Sequence, residues 1–196
     1  MLDIGSMDVP KMHLTDYIKV YDVHFPENFL EEILSEYHSM FVPALIIGDD
    51  KTINEVNYNA RVCELVSLSN NQMNTKRREI DQIISKEVTR ILNLYNHEFP
   101  RMICREDRGY DLLKYNIGGF HVEHIDQHHS EVFRIIGISF ILNDDYEGGE
   151  FAFFHKSYIP KVKKGQCIIF PSNFMYPHEI TPVTKGTRYS IITWLY

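Results

Sequence analysis

The densest group of residues able to do chemistry is the stretch HVEHIDQHH, which runs from His121 to His129. On a β-strand, side chains two residues apart point to the same face, so His124 and Asp126 can offer an imidazole and a carboxylate to one ion. Two histidines and one carboxylate on one side of an iron ion leave its other positions open for reactants. The stretch therefore predicts a metal site that needs one further imidazole.

The spacing in this stretch leaves alternatives open. Two other pairs have a similar arrangement, His121-x-Glu123 and His129-x-Glu131. His128 shares the strand parity of His124 and Asp126, so parity does not choose between them. With 10 histidines in the chain, a single His-x-Asp pair is weak evidence by itself. Residues elsewhere in the chain must supply the support.

Two downstream residues supply it. His178 follows the β-rich run from Cys167 to Phe170, so a returning strand could deliver a second imidazole. Arg188 and Ser190 lie two residues apart in another β-rich run, and they would share an otherwise apolar face. A buried guanidinium without a partner is costly, and a dicarboxylic co-substrate would provide a bidentate one.

The elements that must position these residues are two helices followed by strands. Pro26 suits a first helical turn, and apolar residues from Phe29 to Tyr37 then fall on one face. Asn74 or Thr75 could cap a longer helix that ends near Pro100. Residues 41–72 are expected to form short strands and a mobile loop around Gly48-Asp49-Asp50. Five β-rich runs follow, at residues 110–115, 135–142, 150–154, 166–170 and 187–194.

This order of elements predicts a mainly β fold, a sandwich or barrel supported by helices, because no βαβ alternation occurs. We expect one domain over residues 1–196. In it, residues 1–105 provide helical support and edge strands, and residues 106–196 form the catalytic core.

Composition excludes several classes of function. The formal net charge is -7, from 20 basic and 27 acidic residues, so we expect neither nucleic acid nor membrane as a partner. The three cysteines lack CxxC spacing, which favours a reducing cytoplasm over a disulfide-stapled secreted protein. The N-terminus has no signal-peptide pattern.

Taken together, residues 110–196 resemble the prolyl 4-hydroxylase-like branch of the Fe(II)/2-oxoglutarate dioxygenases. The resemblance lies in the order of four segments: YNIGGFHVEHID, LNDDYEGGEF, IPKVKKGQCIIFPS and PHEITPVTKGTRYSIITW. It implies a double-stranded β-helix, or jelly-roll, core flanked by N-terminal helices. The implied cofactors are Fe(II), 2-oxoglutarate and O2, with ascorbate as a supporting reductant.

The resemblance also implies roles for individual residues. His124, Asp126 and His178 would be the iron ligands, and Arg188 would pair with the distal carboxylate of 2-oxoglutarate. Tyr115 would hydrogen-bond near the co-substrate or the metal. A carboxylate at the Asp126 position favours hydroxylation, because related halogenases have a small residue there.

This chain departs from the family pattern at two positions. Many relatives have a tyrosine where Ile141 stands, and Ser190 is expected to supply the missing hydroxyl. Relatives also often have a tyrosine three residues before the first ligand, where this chain has His121. The second departure concerns the side of the pocket that would face the substrate.

The function that these observations predict is hydroxylation of a prolyl or similar residue in a peptide or protein, with decarboxylation of 2-oxoglutarate to succinate. One alternative is a hydroxylase of a free amino acid or another small molecule. The other is a metal-binding jelly-roll module without turnover, against which the complete ligand set and Arg188 argue.

Overall fold

The computed structural model describes residues 12–47, 54–69, 74–104, 106–127 and 133–196. Helix α1 is Phe29–Tyr37 and helix α2 is Thr75–Glu98. The strands are β1 Lys19–Asp22, β2 Val42–Pro43, β3 Ile46–Ile47, β4 Asn54–Glu55, β5 Arg61–Val62, β6 Glu64–Ser67, β7 Asp111–Tyr115, β8 Phe120–His124, β9 Ile136–Ile141, β10 Glu147–Gly148, β11 Phe151–Phe153, β12 Gln166–Pro171, β13 His178–Ile180, β14 Val183–Lys185 and β15 Arg188–Leu195.

Both predicted helices are confirmed. The side chain of Asn74 accepts a hydrogen bond from the backbone N–H of Arg77, which caps α2 as its sequence indicates. The helix ends at Glu98, two residues before Pro100. Helix α1 begins at Phe29, later than Pro26, and the carbonyl of Pro26 accepts from the N–H of Phe29.

The larger sheet has seven antiparallel strands in the order β1-β12-β9-β15-β7-β6-β2. The five predicted β-rich runs appear as β7, β9, β11, β12 and β15, each within two residues of the expected bounds. Strand β1 was not predicted, because four residues are too few to show a recognisable alternation of apolar and polar side chains. It pairs with β12 and forms one edge of the sheet.

The smaller sheet has four antiparallel strands in the order β11-β13-β8-β5. Its pairing contains a bulge: His178 lies opposite His124, but Ile180 lies opposite His121. Two steps along β13 therefore match three steps along β8. An extra residue in a strand resets which side chains share a face.

Alternation along the strands divides the core into two layers. In β9, Ile136, Ile138 and Phe140 pack in one cluster with the helices, whereas Ile141 belongs to a second cluster. The second cluster contains residues of both sheets, including Phe170 of β12 and Phe153 of β11. Two sheets packed face to face, with both helices on the outside of the larger one, confirm the predicted jelly-roll core.

Several sequence predictions concern the N-terminal half. The short strands expected within residues 41–72 are confirmed as β2 to β6. The expected turn at Gly48-Asp49-Asp50 lies outside the described residues, as do His128, His129 and Glu131. Cys63, Cys104 and Cys167 are all free. Within the described ranges, neither helix combines the length and apolar character that a bilayer crossing requires.

Candidate metal centre

Three side chains meet at one point, two from strands β8 and β13 of the smaller sheet and one from the segment that follows β8. One ligand atom each from His124, Asp126 and His178 lies within 4.8 Å of the others. The Nε2 atom of His124 is 3.7 Å from Oδ1 of Asp126, and Nε2 of His178 is 3.8 Å from Oδ2. The sequence proposed these three residues, and the fold brings them together.

Strand pairing explains how residues more than fifty positions apart converge. His124 ends β8, His178 begins β13, and the two are direct partners across the antiparallel ladder. Asp126 follows β8 by two residues and returns towards the same face. The rival pair separates, because the Glu123 carboxylate accepts a hydrogen bond from the backbone N–H of His155 instead.

Backbone carbonyls fix which nitrogen of each histidine is free. Nδ1 of His124 lies 2.8 Å from the carbonyl oxygen of Val122, and Nδ1 of His178 lies 3.1 Å from that of Tyr176. A carbonyl oxygen only accepts, so Nδ1 carries the proton in both rings. The lone pairs on both Nε2 atoms therefore point at Asp126, which is the arrangement that metal-ligating histidines adopt.

Burial sets the protonation of the cluster. His178 is 2% exposed and lies against the rings of Phe170, Phe153 and Phe151. Burial lowers the pKa of His178 to about 4, outweighing the attraction of Asp126, so its imidazole is neutral at neutral pH. Burial alone would raise the pKa of Asp126, but His178 and His124 hold it below its usual range. A neutral imidazole beside a carboxylate is suited to a divalent cation.

A guanidinium with unmet hydrogen bonds lies in the same cleft. Arg188 is 1% exposed, and one terminal nitrogen donates to Oγ of Ser190 at 2.8 Å. Its Nε and its other terminal nitrogen have no hydrogen-bond partner among the described residues. The rings of Tyr115 and Phe151 lie 5.5 and 5.6 Å from its guanidinium carbon. Unpaired donors on a buried cation fit an anionic ligand.

The neighbours of Arg188 are those that the sequence named. Tyr115 is its Cα partner across the β7–β15 ladder, and burial raises the pKa of the Tyr115 phenol, so the hydroxyl remains a donor. Ser190 is the Cα partner of Ile141 across the β15–β9 ladder. A hydroxyl therefore lies one strand away from the position where relatives have tyrosine.

A single cleft of about 1190 Å³ between the two sheets is lined by all the residues that the sequence assigned to the site: Tyr115, His124, Asp126, His178, Arg188 and Ser190. The cleft also contains Trp194 and two residues to which sequence reasoning assigned no role, Arg61 and Asp111. Arg134, another lining residue, stacks its guanidinium over the Trp194 ring at 3.6 Å and donates to the backbone carbonyl of Asp126. No spacing pattern links Arg61 and Asp111 to the site, so only the fold could identify them as cleft residues.

The donor set fits a ferrous ion and a dicarboxylate together. Oδ2 of Asp126 is buried without a hydrogen-bond partner among the described residues, as expected of an atom reserved for a ligand. Two imidazole nitrogens and one carboxylate occupy one side of the site, which is the arrangement used by non-haem iron. The open nitrogens of Arg188 suit the far carboxylate of a dianion.

Sequence comparison identifies the same region. A family model described as the 2OG-Fe(II) oxygenase superfamily matches residues 110–196. A PKHD-type hydroxylase of Delftia acidovorans is 33% identical over 97 residues, covering 41% of this chain and 40% of that protein. Human prolyl 3-hydroxylase 2 is 28% identical over 200 residues, covering 84% of this chain and 28% of that protein. The chain thus spans less than half the length of these curated relatives.

Solved structures share the fold over nearly the whole chain. A prolyl hydroxylase from Trichoplax adhaerens, in complex with a hypoxia inducible factor peptide fragment, superposes with a TM-score of 0.73 at 16% identity. That match covers 93% of this chain and 84% of the other. A Pseudomonas putida prolyl-4-hydroxylase gives 0.66 at 16% identity and covers 91% of each chain. These likenesses confirm the jelly-roll architecture.

Proposed function

We propose that this chain, whose residues 110–196 match the family model of the 2OG-Fe(II) oxygenase superfamily, is a dioxygenase that hydroxylates a prolyl or similar residue in a peptide or protein. The observation that carries the proposal is the pairing of two features in one cleft. A cluster of two imidazoles and a carboxylate lies beside a buried guanidinium with two unmet donors. The family requires both an iron site and a 2-oxoglutarate site.

Each residue of the cleft has a distinct task in this proposal. His124, Asp126 and His178 hold Fe(II) through Nε2, a carboxylate oxygen and Nε2. Arg188 binds the distal carboxylate of 2-oxoglutarate, with Ser190 orienting the guanidinium and Tyr115 donating its hydroxyl nearby. Iron, 2-oxoglutarate and O2 together supply oxygen activation coupled to decarboxylation to succinate.

Aromatic rings bury the ligand His178. The ring centroids of Phe170, Phe153 and Phe151 lie 4.7, 5.5 and 6.0 Å from that of His178. Burial strengthens the electrostatic contacts of Arg188 and Asp126, which are 1% and 4% exposed. Asp126 fills the third ligand position with a carboxylate, which is consistent with hydroxylation.

The size and lining of the cleft support a peptide rather than a free amino acid. Its volume of about 1190 Å³ exceeds the upper part of the usual range for small-molecule sites, roughly 300–1,000 Å³. Its lining includes five exposed apolar side chains: Val42, Leu45, Val56, Val122 and Ile125. The peptide bound to the Trichoplax protein supports this choice by analogy of fold.

The decisive test is incubation of the purified protein with Fe(II), 2-oxoglutarate and ascorbate, followed by assay of succinate and mass spectrometry of candidate proline-containing peptides. We expect succinate and a gain of one oxygen atom, 16 mass units, on a peptide. A protein that binds Fe(II) but never forms succinate would instead be a binding module. Free proline serves as the comparison substrate, and a preference for it would favour the small-molecule alternative.

His178→Ala should abolish tight iron binding and succinate formation, because two ligands cannot hold the ion in place. The matched control is His155→Ala, since the side chain of His155 is 86% exposed and outside the cleft. Iron content by metal analysis and succinate yield measure the difference. Normal activity in His178→Ala would disprove the ligand assignment.

Two remaining expectations are part of the proposal. The three free cysteines suit action in a reducing compartment, the cytoplasm. The division into a supporting part at residues 1–105 and a catalytic core at residues 106–196 also remains a prediction. So does the expectation that neither nucleic acid nor a membrane is a partner of this protein.

A further inference from the structure

A second arginine in the cleft has no acidic partner among the residues that the structure describes. Arg61 lies on β5, next to the strand that carries His124, and it lines the cleft. Its Nε is buried without a hydrogen-bond partner, and no carboxylate lies within 4 Å of its guanidinium among the residues that the structure describes. Tyr115 and Cys63 are hydrogen-bonding neighbours of the guanidinium, and both are uncharged because burial raises their pKa values. A buried guanidinium nitrogen without an acceptor or a counter-charge is costly unless an anionic ligand pairs with it.

His121 places a second polar group next to this arginine. It is the direct partner of Arg61 across the β5–β8 ladder. The bulge in β8 turns His121 to the same side as His124, and the two rings stack with centroids 3.6 Å apart. Arg61 and His121 therefore form a polar patch immediately beside the metal ligands, on the strand side opposite His178.

The charge of the cleft favours an anion. Three arginines line it, Arg61, Arg134 and Arg188, against two aspartates, Asp111 and Asp126, within the described part of the chain. The surplus is one positive charge, although the whole chain carries -7. A divalent iron and a dianionic 2-oxoglutarate cancel and leave this surplus unchanged. A positive cleft in an acidic protein attracts a ligand of negative charge.

Arg134 already uses its donors within the protein and Arg188 is assigned to the co-substrate, which leaves the unused Nε of Arg61 for a further anion. Arg134 stacks on Trp194 and donates to Tyr196 and Asp126. Arg188 is assigned to the co-substrate. Burial raises the pKa of Asp111, and the positive charge of Arg61 offsets part of that increase, but the two do not make an ion pair.

We propose that Arg61, assisted by His121, binds a carboxylate of the substrate, so that the residue to be hydroxylated is presented to the metal by a neighbouring acidic group. This inference rests on the proposed function and specifies its substrate class. A guanidinium binds a carboxylate through two parallel N–H donors, one of them Nε. The carboxylate can come from an acidic side chain in a peptide or from a free C-terminal carboxyl group.

The test measures binding, so it does not depend on turnover. Fluorescently labelled proline-containing peptides are made in matched pairs, one pair with Glu or Gln beside the proline and one with a free or amidated C-terminus. Fluorescence anisotropy under anaerobic conditions, with Fe(II) and 2-oxoglutarate present, gives the Kd of each peptide. Succinate formation by the unchanged protein tests the proposed function separately.

We expect at least one carboxylate peptide to bind about tenfold to a hundredfold more tightly than its amide partner, the range for a charged hydrogen-bonded pair. Arg61→Gln should bring that ratio close to one, whereas Arg61→Lys should retain part of it and Arg101→Ala, at an exposed site, all of it. The pair that shows the preference identifies the source of the carboxylate.

Equal binding of acid and amide peptides by the unchanged protein would overturn the proposal, whether or not succinate forms. The same holds if no peptide binds, or if a folded Arg61→Gln protein keeps the preference. Thermal unfolding establishes that the variant is folded. If Arg61→Gln does not fold, a preference that is unaltered in Arg61→Lys overturns the proposal, because a lysine cannot reproduce the two parallel donors.

Discussion

Arg188 shows how a single buried side chain can indicate a ligand. A fully buried guanidinium is rarely stable alone, yet Ser190 satisfies only one of its nitrogens. The two nitrogens without partners are energetically unfavourable there, because the inner face of the sheet is otherwise apolar. An anionic co-substrate explains it, and the adjacent imidazole–carboxylate cluster explains what that co-substrate would do.

Arg188→Ala should chiefly raise the 2-oxoglutarate concentration needed for half-maximal succinate formation, by about tenfold or more, because the charged hydrogen bonds to the distal carboxylate are lost. Arg188→Lys should give a smaller increase, since it keeps the charge but not the two parallel donors. Steady-state kinetics with varied 2-oxoglutarate provide the measurement. The control is Arg101→Ala, and an unchanged requirement in Arg188→Ala would remove the assigned role.

The histidines illustrate a limit of motif spacing. Parity along an ideal strand puts His121 and His124 on opposite faces, but the bulge in β8 puts their rings in contact. His121 is therefore a cleft residue, although its spacing from Asp126 gives no hint of it. Its pKa is lowered, first by burial and then by His124 and Arg61, so its ring is neutral at neutral pH.

At the scale of single elements, the turn between β10 and β11 approaches the co-substrate residue closely. Gly149 has a φ of +67°, and a Cβ there would lie 2.8 Å from Cδ of Arg188. Glycine is needed both for the left-handed backbone and for the space. The turn thereby supports the position of the guanidinium from outside the strand.

Gly149→Ala should destabilise the protein by about 1–2 kcal/mol from backbone strain and should also raise the requirement for 2-oxoglutarate. Gly165→Ala is the matched control, because Gly165 has a φ of +75° but no atom within 4 Å of its Cβ position. It should lose a similar stability with normal kinetics. Urea unfolding and 2-oxoglutarate kinetics separate the two effects, and equal kinetic behaviour of both variants would contradict the argument.

Helix α2 is tied to the segment after β1 by a buried carboxylate. Glu87, 5% exposed, accepts hydrogen bonds from the backbone N–H of His24 and from Arg90, which also donates to the carbonyl of Asp22. Burial by itself would raise the pKa of Glu87, but these donors lower it below its ordinary value. A lowered folded-state pKa stabilises the fold above the unfolded value, and this contribution is lost as the pH falls through the folded value.

Glu87→Gln should therefore lower the free energy of unfolding by about 1–3 kcal/mol at pH 7. The difference from the unchanged protein should shrink below about pH 4, where an ordinary glutamate protonates. Urea unfolding at several pH values measures both. Glu79→Gln, at an exposed position of the same helix, is the control, and a difference independent of pH would exclude an ionised Glu87 as the cause.

At the scale of the whole molecule, the helices and the cleft residues Arg188 and Ser190 lie on opposite faces of the larger sheet. Ile84 and Ile91 of α2 pack with Ile138 and Phe140 of β9, whereas Ser190 and Arg188 of β15 face the cleft. The larger sheet is thus buried on both sides, by a helical layer and by the smaller sheet. The helices support the strands that hold the site without contributing to it.

Ile84→Ala should cost about 2–5 kcal/mol of stability, because a fully buried side chain leaves a cavity. Leu94→Ala, at a position of α2 that is 41% exposed, should change stability far less. Thermal unfolding compares them, with a decrease in Tm of roughly 2–4 °C per kcal/mol for a chain of this size. Similar Tm values for the two variants would contradict the packing described.

The sequence by itself determined the elements with a strong period and the residues with distinctive chemistry. The helices at α1 and α2 and the long strands β9, β12 and β15 follow from alternation and capping, which are local properties of the chain. Residue types and spacing made His124, Asp126, His178 and Arg188 candidates, but the sequence selected this set over its rivals only through the family resemblance of residues 110–196.

Only the tertiary structure decided which distant residues meet. The bulge that turns His121 into the cleft, the edge strand β1 and the position of Arg61 beside the metal ligands all depend on pairing between segments far apart in the chain. Such pairing is set by the packing energy of the complete core, and short strands of two to four residues carry too little pattern to reveal it.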